Sequence, residues 1–379
     1  MKRLIKISWI ILICLVLTSC IDTQEIEMTS IITASGIDLA DDESLAVTLV
    51  TFQFTPQSQE YTKVLTGEGK TVKGAIENAE NSSIYNVASG KIKLAVYGKE
   101  MAEKGIIPSL DTAARDASIP DLMYLSVSQT TAKEILSISE DEVATDIGQF
   151  LVGLIENQRE DHNIPRKTVQ DFLRIYYDVG QDNVLPIFEI KEKMPFLSSL
   201  ALFKGDQMVG ELTIPEAILI NLMDGTVKEQ VFGFSLPLEP FKDYLEKREN
   251  RKEEQIVETS FMIKKGKSKT ELKDADNLSF QTDTTMQVRL LEQSAGIVFK
   301  DKKVLDLMEK EVEKNMEDRF NKLLDKLKKM ESDPFGYGRF YHSSEKGGDL
   351  TQEEWREKYP KITVQFNVDV EIIRHGVID

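Results

Sequence analysis

Cysteine is nearly missing from this chain. Its 379 residues include two, Cys14 and Cys20, both within the first twenty positions. An exported body beyond Cys20 therefore has no disulfide and no thiolate metal site, and must rest on hydrophobic cores. Histidine is scarce too: His162, His342 and His375 are the full set, and none stands beside a second His or an acid at metal-ligand spacing. No Gly-x-Ser-x-Gly elbow, dinucleotide glycine fingerprint or complete phosphate-binding Gly-x-x-x-x-Gly-Lys-Ser/Thr loop occurs. Gly336-Tyr337-Gly338 comes nearest, but it follows a predicted helix rather than a strand. Tryptophan numbers two, and Trp9 lies in the first apolar run, so Trp355 alone could serve as a sugar-stacking platform. Basic residues are outnumbered 47 to 64, for a formal charge of −17. Such a surface repels nucleic acid and anionic lipid headgroups. Acidic pairs such as Asp41-Asp42 and Glu353-Glu354 are expected by chance among 64 acids and read as solvated. A glycosidase built on two carboxylates stays open as an alternative.

What the chain does have is a distinctive start. Lys2, Arg3 and Lys6 precede an apolar run, Ile7 to Leu17, and then come Leu17-Thr18-Ser19-Cys20. A basic start, a short apolar core and small residues before a cut site mark a secretory signal. The run is shorter than the ~20 apolar residues that span a bilayer. Leu17, Thr18, Ser19 and Cys20 are similar to the bacterial lipobox, in which the Cys thiol receives diacylglycerol before cleavage. A plain signal peptide and an uncleaved anchor helix are the alternatives. The lipobox reading predicts residues 1–19 as a signal, with diacylglycerol and an N-acyl chain on Cys20. Two acyl chains hold a protein stably where one does not. Losing the three basic residues of the signal takes the formal charge from −17 to −20, so adhesion must come from lipid or from a protein partner.

Beyond the tether, length alone predicts two or three domains. Residues 20–194 alternate strands and helices, a mixed α/β domain. Leu45 to Phe54 reads as a strand after the acidic turn Asp41-Asp42, and Thr145 to Asn157 as an amphipathic helix. Thr168 caps a further predicted helix. Residues 195–254 read as a small middle domain: a hairpin about Lys204-Gly205-Asp206, a capping box at Thr213-Ile214-Pro215-Glu216, and a charged, solvated stretch from Phe241 to Glu254. Residues 255–379 are predicted to form an antiparallel sheet crossed by one long helix, 303–330. Its stripe is Val304, Met308, Val312, Met316, Phe320, Leu323, Leu327 and Met330. Strict alternation from Ile362 to Ile372 predicts the last strand. The fold class is thus α+β and multidomain.

Several stretches together resemble one family, the Ger(x)C lipoproteins, C subunits of spore germinant receptors. They are Cys20-Ile21-Asp22-Thr23-Gln24-Glu25-Ile26, Gly36-Ile37-Asp38, Gly69-Lys70-Thr71, the hairpin Ala201 to Gly210, Asp333-Pro334-Phe335-Gly336-Tyr337-Gly338, Trp355 and Tyr359-Pro360. Ile21 stands where the family usually has Trp, and Thr23-Gln24 where it often has two Arg. The resemblance implies a three-domain lipoprotein on the outer face of the cell or spore inner membrane. It implies assembly with two multi-spanning membrane subunits into a nutrient receptor, no enzymatic activity and no cofactor. Direct nutrient contact is left open. Phe335, Tyr337, Arg339 and Phe340 are the candidate interface. A lipid-anchored solute-binding protein and a wall-modifying enzyme are the competing readings. The first usually shows two similar lobes, which the two unlike halves here do not suggest.

Overall fold

A computed structural model describes residues 28–53, 62–161, 163–246, 255–299 and 302–375. The signal, the lipobox and most of the charged stretch 241–254 lie outside them.

Nine strands form the first sheet: β1 (Thr29–Leu39), β2 (Leu45–Gln53), β3 (Thr62–Gly69), β4 (Asn86–Ala88), β5 (Leu94–Gly98), β6 (Tyr124–Ser128), β7 (Val184–Lys191), β8 (Met194–Lys204) and β9 (Gln207–Thr213). Their order is β3-β2-β1-β5-β6-β7-β8-β9, with β4 beside β1. The centre, β1-β5-β6-β7, is parallel, and each end is an antiparallel meander. Parallel strands need helices on both faces, and β5 accordingly reads Leu-Ala-Val-Tyr-Gly, buried throughout. One face carries a core containing Ile37, Leu49, Tyr97, Phe172 and Phe203. Helix Val169–Tyr177 packs there, opened by Thr168 in a full capping box with Asp171.

The second sheet holds β10 (Thr226–Val227), β11 (Gln230–Pro237), β12 (Ile256–Asp274), β13 (Ser279–Gln293) and β14 (Thr363–His375). The 28-residue helix Lys302–Lys329 crosses it. The periodic stripe from Val304 to Leu327 is buried, with Leu324 added to it, and Met330 packs at its edge. Phe320 is fully buried and stacks on Phe366 of β14 at 5.0 Å.

Two expectations need correction. The second sheet is not wholly antiparallel: β14 runs parallel to β13, over twelve register pairs from Ser279↔Thr363 to Leu290↔His375. A strand, a long helix and a second strand entering beside the first make a crossover connection, and a crossover delivers parallel strands. Nor do residues 195–254 form a middle domain with a sheet of its own. β8 and β9 extend the first sheet through β7, whereas β10 and β11 pair with β12 of the second. The reason is burial. Leu200, Leu202 and Leu212 share one continuous core with Phe232, Phe261 and Phe320. Helix Ile214–Asp224, started by the Thr213/Glu216 capping box, is buried across most of its surface and bridges the two sheets.

The free edge of β14 is closed by side chains. Glu309, Glu313 and Glu317, spaced one helical turn apart, accept from the backbone N–H groups of Ile372 (2.8 Å), Val370 (3.0 Å) and Val368 (3.2 Å). A helix thereby satisfies donors that would otherwise template another strand.

Candidate functional site

The stretch singled out by its aromatics, Phe335 to Phe340, follows the end of the long helix. Glu331 turns the chain in a left-handed conformation, φ 51°. Ser332 and Asp333 are then fully buried. Gly336, at φ 76°, opens the short helix Tyr337–His342, a conformation that costs glycine little. Phe335 and Tyr337 are 5% and 0% exposed. They therefore leave the candidate interface and belong to the core. Tyr337 packs on Phe280 and Phe335, and its hydroxyl lies 3.2 Å from Thr282 Oγ1. These rings close the end of the helix–sheet core. Arg339 and Phe340 do reach the surface, Phe340 being 38% exposed. Cys20, Leu17, Thr18 and Ser19 lie outside the described residues.

Behind the rings is a polar node that the sequence reading missed. Asp333 Oδ1 accepts from Gly336 N (2.9 Å), and Oδ2 accepts from Gly338 N (2.9 Å) and Trp355 Nε1 (3.1 Å). Its own N–H donates to Asp182 Oδ2 at 2.7 Å, and Asp182 N donates back to the Asp333 carbonyl at 2.9 Å. Asp182 Oδ1 also accepts from Gly205 N at 2.9 Å, in the turn of the β8–β9 hairpin. The Arg356 guanidinium grips both Asp182 oxygens and donates to the Glu331 carbonyl at 2.9 Å. Asp182 and Arg356 side chains are 2% and 16% exposed. Around this node, Gly180 and Gly338 touch backbone to backbone. A Cβ on Gly338 would fall 2.3 Å from Gly180 Cα and 2.6 Å from the Trp355 ring. Arg339 closes the set, donating to Gln181 Oε1 at 2.9 Å.

Burial pushes the Asp333 carboxyl up to about 7, against the N–H donors that favour its charged form. Asp182 beside it adds to the rise. A raised carboxyl next to a second acid suggests acid–base chemistry. The geometry gives it no such outlet, because both oxygens of each acid already accept hydrogen bonds from the protein and both side chains are buried. The node can clamp. It ties the segment before β7, in the first sheet, to the end of the long helix and to helix Gln352–Lys358 in the second.

Other quoted stretches are also packing devices. In Gly36-Ile37-Asp38, the Asp38 carboxylate accepts from Ala132 N (2.7 Å) and Lys133 N (2.9 Å), at the start of helix Ala132–Leu136. Thr71 of Gly69-Lys70-Thr71 caps helix Val72–Glu80 through Gly74 N. Glu354 of the pair Glu353-Glu354 closes a capping box with Thr351. Asp41 and Asp42 sit in an exposed 3-10 turn. Among the described residues no group of three or more His, Cys, Asp or Glu could hold a metal, and no helix is long and apolar enough to cross a membrane.

The signal for the missed node was faint. Gln181-Asp182-Asn183 is a polar triplet directly before the apolar Val184-Leu185-Pro186-Ile187-Phe188, and all three are buried.

Comparison with known proteins agrees along nearly the whole chain. The spore germination protein N-terminal domain matches residues 22–190. The spore germination B3/GerAC-like C-terminal domain matches residues 198–376. Spore germination protein GerQC of Bacillus cereus is 21% identical over 98% of this chain and 99% of its own. The putative spore germination protein YfkR of Bacillus subtilis (strain 168) is 19% identical over 100% and 98%. The crystal structure of the GerBC protein superposes with a TM-score of 0.53 at 15% identity, covering 89% of this chain and 96% of that one, so the two share a fold.

Proposed function

The chain belongs to the spore germinant receptor C-subunit family, and from that premise we propose that it is a lipid-tethered subunit which assembles with two multi-spanning membrane proteins. The observation that carries the reading is the family match over both halves, joined to a lipobox-like start at Leu17-Thr18-Ser19-Cys20. Only residues 21–28 separate Cys20 from β1. Eight residues reach at most ~30 Å when fully extended, so the body would work close to the membrane face. A body of formal charge −20 once the signal is lost gains nothing from anionic headgroups, which leaves lipid and partner proteins to hold it. Its work is assembly rather than turnover. Arg339 and Phe340 remain as the surface part of the proposed contact, since they are exposed beside a rigid clamp and Arg and aromatics anchor interfaces. The lipid step is tested by changing Cys20 to Ala and following fatty-acid labelling and membrane partition. The variant is expected to take up no label and to leave the membrane fraction. Undiminished labelling would sink the tether.

A further inference from the structure

A second feature lies away from the clamp. A cavity of about 360 Å³ opens where helix Val169–Tyr177 and the loop before it meet the end of helix Ile214–Asp224. Its walls carry Arg159, Arg166, Lys167 and Arg174 against Asp171 and Asp224. In a chain with 17 more acids than bases, four cations converging on one cavity run against the general field.

Lys167 is the telling member. It is 7% exposed, and among the described residues no carboxylate lies within ion-pair distance of its ammonium. Asp171 is already engaged. It accepts from Thr168 N and Oγ1 in the capping box, and Arg166 Nε lies 3.4 Å from it. Among the described residues Arg174 reaches only Asp178, at 4.0 Å on the exposed rim. Arg159 has no ion-pair partner among the described residues. Burial lowers the Lys167 pKa, with Asp224 and Asp171 opposing the shift and Arg174 and Arg339 adding to it. Burial thins the hydration of this ammonium, which meets solvent in the cavity, and a counter-charge bound there would replace what is lost. Nothing in the packing calls for that charge here. The Lys167 carbonyl makes the local backbone bond, accepting from Leu125 N at 3.2 Å, and an apolar chain of similar length would fill the same space.

We propose that this cavity is a binding site for a small oxyanion, the carboxylate or phosphate of a small molecule. Lys167 is its central counter-charge, and Arg159, Arg166 and Arg174 close around it from the rim. Arginine forks match planar carboxylate and phosphate oxygens. The assignment goes beyond the receptor reading and depends on neither the tether nor the membrane partners.

The test uses the full chain purified in detergent, titrated by calorimetry with inorganic phosphate and separately with malonate, each against chloride at matched ionic strength. Saturable one-site binding of at least one probe is expected, with a rise in melting temperature. Phosphate alone would mark a phosphate ester as the ligand class, and malonate alone a carboxylic acid. Lys167→Met should abolish saturable binding, while melting at or above the wild-type temperature without anion, because an ammonium that burial and the Arg174 charge disfavour is gone. Arg174→Gln alters an exposed rim residue, and should weaken binding by about tenfold without changing the melting temperature. It serves if Lys167→Met fails to fold. No saturable heat with either probe would overturn the proposal. So would wild-type affinity in a folded Lys167→Met protein or, failing that, in Arg174→Gln.

Discussion

Changing Asp333 to Asn probes the clamp with a single atom. Either form of the aspartate can accept on both oxygens, and here they take Gly336 N on one side and Gly338 N with Trp355 Nε1 on the other. An asparagine amide accepts on one side only. Its cheaper orientation keeps Gly338 and Trp355 and turns its NH₂ toward the Gly336 N–H. The buried NH₂ then has no acceptor and confronts the Gly336 N–H, which keeps the Asp333 carbonyl at 3.2 Å, at a cost of about 1–3 kcal/mol. A domain of 150–250 residues loses ~2–4 °C per kcal/mol, so a fall of roughly 2–12 °C at neutral pH is expected. The pH dependence sharpens the test. The folded carboxyl titrates near 7 and the unfolded one near 3.8, so between those values the native state holds the extra proton. This contribution is fully present below the unfolded value and is lost as pH rises through about 7. The variant has no such group. The gap between wild type and Asp333→Asn should therefore widen as pH falls from 7 to 5, by about 1.4 kcal/mol per pH unit. The assay is chemical denaturation of both proteins across that range. Equal stabilities at every pH, or a gap that narrows on acidification, would refute the account of the node.

Asp182→Asn removes one partner of the buried grip on Arg356, and a loss of about 3–5 kcal/mol is expected by denaturant titration, since the guanidinium stays behind uncompensated. Phe320→Ala takes a fully buried ring from between the long helix and Phe366 and should cost about 3–5 kcal/mol. The solvent-facing control Lys322→Ala should stay within about 0.5 kcal/mol of wild type. Phe340→Ala should melt close to wild type yet lower the levels of the membrane partners in spores. Normal partner levels would remove this surface as a contact.

Much of this molecule was legible because its pieces are locally determined. The long helix, the capping boxes at Thr168 and Thr213, and the alternating strand from Ile362 to Ile372 follow from spacing and cap chemistry within a few residues. What stayed hidden depends on distance along the chain. Asp182 meets Asp333 across 151 residues and Arg356 across 174, and no local pattern encodes either meeting. The direction of β14 was misread because alternation reports which face is buried and says nothing about which way a strand runs. The middle domain dissolved for a related reason. The hairpin about Gly205 and the strand after Gly225 look contiguous in sequence, yet each completes a different sheet. The aromatic loop misled in the opposite sense. Phe and Tyr beside Arg suit an interface and a core plug equally, and only the burial of Phe335 and Tyr337 separates the two.

The central claim is that this chain works as one part of a membrane assembly. Its most direct test is mild detergent extraction of spore membranes carrying the tagged chain, affinity isolation, and quantification of what remains bound after size-exclusion chromatography. The account predicts two multi-spanning proteins in near-equal amounts with the chain, and their loss from the isolate when Cys20 is replaced by Ala. Recovery of the wild-type chain alone, with both membrane proteins eluting elsewhere, would contradict it.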